Sequence, residues 1–192
     1  MKKIVLGSAS PRRFELLKSL GYEFEVCAAD IEENYPSNIS VYKVAEYIAH
    51  EKFNHLISKI DENALLICAD TIVLIKDEIL GKPIDTIEAT SMLKKLSGKH
   101  HEVITGVCIG NSKRNILFSC ISKVFFSKIA ENEINHYVQN YNPLDKAGAY
   151  GIQDWIGLTF IDRIDGSYTN IVGLPTNEVY KTIESFNSDK LT

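Results

Sequence analysis

Short apolar runs alternate along the chain with apolar stripes of helical spacing, and this alternation predicts an α/β fold. The runs predict strands over residues 3–7, 22–28, 64–75, 78–80, 101–109, 115–126 and 159–164. The stripes predict helices over residues 11–20, 40–59, 85–96, 131–139 and 176–186. Because both hairpin connections and crossover helices occur, we expect a mixed sheet rather than a purely parallel one.

Residues with special backbone preferences mark the ends of several elements. Pro11 suits the first position of the first helix, and Gly21 suits its C-terminal cap. The pair Lys76-Asp77 is typical of a hairpin turn between two of the predicted strands. The segment 146–153, KAGAYGIQ, is rich in small residues, so we expect it to lie outside the core.

The composition is that of a folded domain. The 192 residues fit one domain, hydrophobic residues make up 45%, and the net charge is −4 from 21 basic and 25 acidic side chains. This balance excludes wholesale disorder. Because the balance also excludes a surface that is basic all over, we expect no nucleic-acid partner. A local basic pocket remains compatible with this composition.

Hydropathy and cysteine usage suggest a cellular location. No apolar run approaches the roughly 18 residues that a membrane span requires, and the apolar stretch after Met1 is too short for a secretory signal. The four cysteines lie far apart, without CxxC or zinc spacing: Cys27, Cys68, Cys108 and Cys120. We therefore expect a cytoplasmic protein with buried, reduced thiols and no membrane partner.

A candidate anion site lies between the first strand and the first helix, in the sequence SASPRR. A helix N-terminus presents unpaired N–H groups and the positive end of the helix dipole. Ser8 and Ser10 add hydroxyl donors, while Arg12 and Arg13 add guanidinium groups that match phosphate oxygens in pairs. The alternative, in which Ser10 only caps the helix and both arginines are solvated, stays open at this point. The chain has no Walker A motif and no GxGxxG after a strand, which removes support for a P-loop or a dinucleotide-binding loop.

Asp70 lies within the nearly continuous apolar run 64–75, ALLICADTIVLI. Burying a carboxylate without a partner is costly, so such a residue needs a cation, a metal ion or several N–H donors. The pattern is equally typical of a catalytic or metal-binding aspartate and of a structural one.

Four further residues carry weaker signals when each is taken alone. Lys52 borders the apolar stripe of the second helix, but most helical lysines are solvated, whereas Lys82 in a Gly-Lys-Pro loop is more suggestive. Glu33 belongs to the acidic loop DIEE, which by itself indicates a solvated turn. The amide of Gln153 matches the O4/N3–H edge of uracil or thymine, although the segment alone favours a glycine-rich turn with an exposed glutamine.

The five histidines show no ligand spacing, so we assign them no role.

Taken together and in order, eight segments resemble the Maf family of nucleoside triphosphate pyrophosphatases. They span essentially the whole chain and read SASPRRFELL, DIEE, AHEKF, ADTIV, LGKP, LSGKHHEVITGV, DKAGAYGIQ and GSYTNIVGLP. Thr71 after Asp70, together with Gln153, is similar to the branch of the family that hydrolyses dTTP and UTP; the branch that acts on 7-methyl-GTP has other residues there. The resemblance implies an inosine triphosphatase-like α/β fold, with a mixed, strongly twisted sheet flanked by helices and two lobes around a cleft.

The resemblance also implies a reaction and roles for individual residues. The reaction is hydrolysis of the α–β phosphoanhydride to a nucleoside monophosphate and pyrophosphate, carried out by a homodimer. The resemblance assigns recognition of the base to Arg12, Thr71 and Gln153. It assigns binding of the phosphates to Ser8, Ser10, Arg13, Lys52 and Lys82. Asp70 is implied to accept a proton, and Glu33 and Asp70 to hold a divalent cation, Mg²⁺ or Mn²⁺.

The chain departs from the family pattern at two points. The sequence Asp-Trp-Ile at 154–156 follows Gln153 where a glycine is expected, which calls the shape of the base pocket into question. Phe53 after Lys52 replaces a small residue, and this change affects packing more than chemistry.

A rival function from another class uses the same cationic residues. It is a nucleotide-binding regulator of cell division that turns nothing over. The presence of Asp70 and Glu33 favours the enzyme, because a protein that only binds a polyanion gains little from carboxylates beside it.

Overall fold

The computed structural model describes residues 3–188. The expectation about a secretory signal concerns the stretch that starts at Met1, and Met1 lies outside the described residues. The strands are β1 (Ile4–Leu6), β2 (Phe24–Val26), β3 (Leu65–Ile75), β4 (Glu78–Leu80), β5 (His100–Gly110), β6 (Asn115–Phe126) and β7 (Ile161–Asp165). The helices are α1 (Pro11–Ser19), α2 (Val44–Ile57), α3 (Thr86–Leu96), α4 (Glu131–Asn140), α5 (Trp155–Phe160), α6 (Tyr168–Val172) and α7 (Thr176–Ser188). Single 3₁₀ turns occupy Val41–Lys43 and Ala147–Ala149.

The strands form a mixed sheet. Within the described residues the strand order is β2-β1-β3-β5-β6-β7, and β4 pairs with β3. β1 pairs in parallel with both β2 and β3, whereas β4 pairs antiparallel with β3 and β7 pairs antiparallel with β6. The prediction of an α/β fold with a mixed sheet is therefore confirmed.

The chain divides into two compact units. Unit 1 comprises the described residues up to Asp70, Thr105–Cys120 and the described residues from Gly173 onward. Unit 2 comprises Thr71–Ile104 and Ile121–Val172. Asp70 and Thr71 are consecutive in β3, so these two neighbouring candidate residues belong to different units.

The core of unit 1 explains the continuous apolar run in β3. Leu65, Ile67 and Ala69 belong to one buried cluster, which also contains residues of α1 and α7. Leu66 and Cys68 belong to another, which also contains residues of α2. Because both faces of this half of the strand are covered, both sets of alternating side chains must be apolar.

The core of unit 2 includes the KAGAYGIQ segment, so the prediction that this segment lies outside the core is wrong. Ala149, Tyr150 and Ile152 are buried within the main cluster of the unit. Gly148 has φ of 68°, and an added Cβ would lie 3.0 Å from a methyl carbon of Val73. The small residues therefore serve close packing against β3, rather than exposure.

A second prediction is wrong in part. The sequence predicts a strand that begins at Thr159, but Thr159 and Phe160 end the short helix α5, and β7 begins only at Ile161. A helix of six residues is too short to show a clear period, so the apolar residues of α5 resemble the start of a strand.

The cysteines are free, as their spacing predicted. Cys68 and Cys108 are buried, whereas Cys27 and Cys120 are partly exposed, so the expectation of burial holds for two of them. Among the helices of residues 3–188, none is at once long enough and apolar enough to cross a membrane.

Candidate functional site

The N-terminus of α1 is built by short-range hydrogen bonds around Ser8 and Ser10. Ser10 is the N-cap, and its hydroxyl accepts a hydrogen bond from the Arg13 backbone N–H at 3.4 Å, with Pro11 at the first helical position. The Ser8 hydroxyl accepts from the Ser10 N–H at 3.3 Å and from Arg13 Nη1 at 3.2 Å. The cap that the sequence predicted is present, but it does not leave Arg13 in solvent.

Arg13 is held on two sides. Its Nε donates a hydrogen bond to the Gly173 carbonyl at 2.8 Å, in addition to the contact with Ser8. Burial lowers the pKa of the guanidinium, while the carboxylates of Asp70 and Glu33 raise it and Arg12 lowers it. Arginine keeps its charge in proteins, so these interactions place a permanent cation within electrostatic reach of Asp70 and Glu33.

Lys52 links α2 to two carboxylates. Its side chain is only 10% exposed, and its Nζ lies 2.6 Å from Glu33 Oε1 and 2.7 Å from Asp70 Oδ1. The solvated position that a helical lysine usually takes is therefore wrong for Lys52. Glu33 is likewise not a purely solvated residue of its loop, since it is one of the two partners of this ammonium group.

Asp70 is buried, with 6% of its surface exposed. Burial raises the pKa of its carboxyl group, while the nearby charges of Lys52 and Arg13 lower it and Glu33 raises it. Such an arrangement keeps a carboxylate shielded from water yet compensated by cations. It is suited to accepting a proton or to helping hold a metal ion.

The remaining candidates lie in unit 2, on segments that touch one another. Lys82 is exposed in the loop after β4, and the Gly81 carbonyl in the same loop accepts a hydrogen bond from the Gly148 N–H at 3.0 Å. Gly148 in turn packs against Val73, two residues beyond Thr71 in β3. The structure thus joins the segments that carry Thr71, Lys82 and Gln153.

Gln153 lies in a tight turn just beyond the 3₁₀ turn Ala147–Ala149. Its Oε1 atom is buried, and within residues 3–188 it has no hydrogen-bond partner. The prediction from the local sequence, an exposed glutamine, is therefore wrong for this oxygen. A buried amide oxygen without a partner is uncommon, because leaving it unsatisfied costs about 1–3 kcal/mol.

Sequence reasoning missed His101, to which it assigned no role. His101 is buried beside Tyr150 of the KAGAYGIQ segment, and its Nε2 lies 2.6 Å from the Tyr150 hydroxyl oxygen. The rings of both residues also pack against Phe126. The available signal was the alternation in β5, where His101 and Val103 share a buried face, but metal-ligand spacing alone does not detect such a contact.

Comparison with known proteins places the chain in a family. A family model described as "Maf-like protein" matches residues 3–186. A protein from Porphyromonas gingivalis named dTTP/UTP pyrophosphatase is 47% identical over 187 residues, which cover 96% of this chain and 94% of that protein. A protein of the same name from Flavobacterium psychrophilum is 46% identical over 178 residues, covering 93% and 91%.

Similarity to solved structures is weaker. The nucleoside-triphosphatase, dITP/XTP pyrophosphatase, from Mycobacterium abscessus has a TM-score of 0.45 at 13% identity and covers 98% of both chains. A HAM1 protein from Coxiella burnetii has a TM-score of 0.47 at 17% identity and covers 67% of this chain and 75% of that one. The family model and the relatives in sequence, which extend over nearly the whole chain, show that this protein belongs to the Maf family.

Proposed function

We propose that this chain hydrolyses dTTP and UTP at the α–β phosphoanhydride and releases the nucleoside monophosphate and pyrophosphate. The observation that carries the proposal is the buried Asp70–Lys52 pair, which Glu33 joins from the exposed side, so that a shielded carboxylate lies next to an ammonium group. The two relatives named dTTP/UTP pyrophosphatase, 47% and 46% identical to the chain, support the same activity.

In this proposal the triphosphate is bound by cations and hydroxyl groups. The barrier to hydrolysis lies in bringing an oxygen nucleophile to a phosphorus atom that anionic oxygens surround. Positive groups and donors lower that barrier by neutralising the charge of those oxygens and of the leaving pyrophosphate. The residues that we assign to this task are Ser8, Ser10, Arg13, Lys52 and Lys82.

Asp70 is the proposed proton acceptor. Water attacks the α phosphorus, its proton passes to the Asp70 carboxylate, and the bond to the bridging oxygen breaks as pyrophosphate leaves. Burial, which raises the pKa of Asp70, makes the carboxylate a stronger base than an exposed aspartate. Lys52 and Arg13, which lower the pKa, favour the ionised form that can take the proton.

Glu33 and Asp70 are the proposed ligands of a divalent cation, Mg²⁺ or Mn²⁺. Carboxylate oxygens are the hard donors that such ions prefer, and magnesium is commonly held by one or two carboxylates together with substrate phosphates. The two carboxylates converge on the Lys52 ammonium group, so their placement fits a shared cation. When bound, the ion would neutralise charge on the phosphate oxygens. The proposal assigns the remaining ligands to substrate phosphates and water, as is common for magnesium.

Arg12, Thr71 and Gln153 are the proposed readers of the base. The unpartnered Gln153 Oε1 can accept the N3–H of uracil or thymine, while the amide nitrogen donates to O4. A site that hydrogen-bonds a polar edge can reject the wrong base by about 10⁴. We therefore expect activity on dTTP and UTP to be well above activity on ATP and GTP.

A panel of nucleoside triphosphates tests the reaction. The purified protein is incubated with each nucleotide and with Mg²⁺ or Mn²⁺, and pyrophosphate and orthophosphate are measured separately. Pyrophosphate with a monophosphate product is the expected result for dTTP and UTP. Orthophosphate with a diphosphate product would mean that another bond is broken, and binding without any product would favour a nucleotide-binding regulator.

Replacement of Gln153 tests the choice of base. Gln153→Ala should lower kcat/KM for UTP and dTTP more than for the poorer nucleotides, because it removes both hydrogen bonds to the pyrimidine edge. An unchanged nucleotide profile would remove Gln153 from this role.

We further propose that the protein acts as a homodimer in the cytoplasm, on free nucleotides rather than on nucleic acid. The free cysteines and the net charge of −4 support the location and the lack of affinity for a polyanion. Light scattering of the purified protein tests the assembly, cell fractionation tests the location, and a gel-shift assay with DNA and RNA tests nucleic-acid binding.

A further inference from the structure

A hydrogen bond joins the first and last residues of the turn that carries Gln153. The Asp154 backbone N–H donates a hydrogen bond to the Gly151 carbonyl at 3.1 Å, which places Ile152 and Gln153 at its two central positions. Ile152 is buried in the core of unit 2. The orientation of the Gln153 amide therefore depends on how firmly Gly151 and Asp154 are held.

Tyr137, in the middle of α4, holds both of these residues. Its hydroxyl group donates a hydrogen bond to Asp154 Oδ2 at 2.8 Å. A backbone hydrogen bond from Gly151 reaches the same hydroxyl group. Tyr137 has no exposed surface, so a single buried hydroxyl group joins the first and last residues of the turn.

Asp154 is fixed by further contacts. Its Oδ2 lies 3.4 Å from Lys146 Nζ, and Lys146 also donates a hydrogen bond to the Asn142 carbonyl at 2.7 Å. The carboxylate lies so close to Gly151 that a Cβ atom added there would be 2.7 Å from Oδ2. The carboxylate thus fills the space above the first residue of the turn.

From this arrangement we infer that Tyr137 and Asp154 are positioning residues that set the selectivity of Gln153 for the pyrimidine edge. The inference rests on the proposed function. The buried, unpartnered Gln153 Oε1 is the atom whose placement the Tyr137–Asp154 contact controls.

A misplacement of a recognising group by about 1 Å can reduce a rate by about 10²-fold. Loss of the Tyr137 hydroxyl group should therefore weaken recognition of the correct base far more than binding of the triphosphate, which Gln153 does not contact in this proposal. The effect should appear as a higher KM for UTP and as a lower ratio of kcat/KM for UTP over CTP. Cytosine offers a donor where uracil has O4, so CTP gains little from a well-placed glutamine.

The test compares three variants with a matched control. Tyr137→Phe removes the hydroxyl group and keeps the ring, and Asp154→Ala removes its partner. Asp154→Asn keeps an oxygen that can accept from Tyr137. Tyr141→Phe is the control, because Tyr141 stacks on Tyr137 at 5.4 Å between ring centres and the substitution keeps that stacking.

For Tyr137→Phe and Asp154→Ala we expect the UTP/CTP ratio of kcat/KM to fall by about tenfold or more. Asp154→Asn should retain most of the ratio, and Tyr141→Phe all of it. Equal losses for UTP and CTP in the first two variants, or an unchanged ratio, would overturn the inference and leave a purely structural contact. The Tm of each variant is measured alongside, and if one of the two fails to fold, the ratio for the other decides.

The two proposals fail in distinguishable ways. If the wild-type protein releases no pyrophosphate from any nucleotide, the proposed function fails. The positioning inference is then tested by calorimetric titration with UMP and CMP. A UMP/CMP preference that falls in Tyr137→Phe and persists in Tyr141→Phe supports it, and an equal preference in all of these proteins overturns it.

Discussion

Two regions carry the candidate residues, and different interactions hold them. In unit 1, Lys52 Nζ lies 2.6 Å from Glu33 and 2.7 Å from Asp70, so charges in contact define the geometry. In unit 2, the middle of the KAGAYGIQ segment is held by apolar packing and by uncharged groups, among them the His101–Tyr150 contact at 2.6 Å.

These interactions respond differently to substitution. Buried charges depend on each other, because removal of one leaves its partner uncompensated in a medium of low dielectric constant. Removal of a neutral hydrogen bond or of a packing contact disturbs the structure locally and reduces the free energy of unfolding by less. We therefore expect changes in the charged region to have large effects on turnover and stability, and changes in the neutral region to have smaller ones.

The largest expected effect comes from Asp70→Asn. The amide has nearly the same shape but cannot accept a proton, so turnover should fall about 10²–10⁴-fold while triphosphate binding survives. Pyrophosphate release and calorimetric titration with UTP measure the two quantities. Asp77→Asn, in the exposed hairpin turn after the same strand, is the control. Equal loss of binding and turnover would make Asp70 a structural residue.

Lys52→Met tests the mutual dependence of the charges. It leaves Asp70 buried without its nearest cation, which should cost about 3–5 kcal/mol of the free energy of unfolding at neutral pH. The pKa of Asp70, already raised by burial, should rise further, so the deficit should be greatest at high pH and shrink as the pH falls and the carboxyl group takes up a proton.

Urea unfolding of this variant at pH 8 and pH 5 gives the two free energies. Lys181→Met is the control, because both side chains of the Lys181–Glu178 pair are exposed and such pairs contribute little. A deficit that does not change with pH would mean that Asp70 is not the group left uncompensated.

His101 should give the neutral region a pH dependence of its own. Burial lowers the pKa of His101 from 6.5 to about 3, so the folded protein keeps it neutral where the unfolded chain takes up a proton. The contribution of neutral His101 to the free energy of unfolding is fully present above pH 6.5. It is lost as the pH falls, by about 2 kcal/mol between pH 7 and pH 5.

The substitution His101→Gln should remove this part of the pH slope of the free energy of unfolding. Glutamine keeps a polar group near the Tyr150 hydroxyl group and does not titrate. His136→Gln, at an exposed position of α4, is the control. Identical slopes in the wild-type protein and in His101→Gln would contradict the prediction.

The smallest expected effect is that of Gly148→Ala. At φ of 68° the added Cβ is strained, and it would lie 3.0 Å from a methyl carbon of Val73. We expect a loss of about 1–2 kcal/mol, visible as a lower Tm in thermal unfolding. Gly81→Ala is the matched control, because a Cβ there has no heavy atom within 4 Å. Equal Tm values for the two variants would mean that the segment adapts without strain.

Helix ends and turns that depend on local backbone preferences were predictable from the sequence. Pro11 and Gly21 mark the ends of α1, and Lys76 occupies the hairpin turn with φ of 56°. These positions follow from backbone geometry, which depends on the residue itself and on the few beside it.

Residues whose role depends on distant partners were not predictable from their own pattern. The pattern around Lys52 predicts an ordinary solvated lysine, yet the carboxylate of Asp70, 18 positions later, makes it a buried cation. His101 and Tyr150 are 49 positions apart, and no spacing rule links them. For such residues only the ordered resemblance to a family gave an indication, and it gave none for His101 or for Tyr137.

The α/β class, most helix and strand bounds and the family of this protein follow from the amino-acid sequence alone. Each of these depends on local periodicity, on backbone preferences or on motifs in a fixed order. The three-dimensional structure was needed to show that the KAGAYGIQ segment is buried, that Lys52 is an ion-pair partner and that Tyr137 contacts the turn of Gln153. Burial and pairing are properties of groups brought together by the whole fold, and the free energy of a charge or a hydroxyl group is set by those surroundings rather than by its neighbours in the chain.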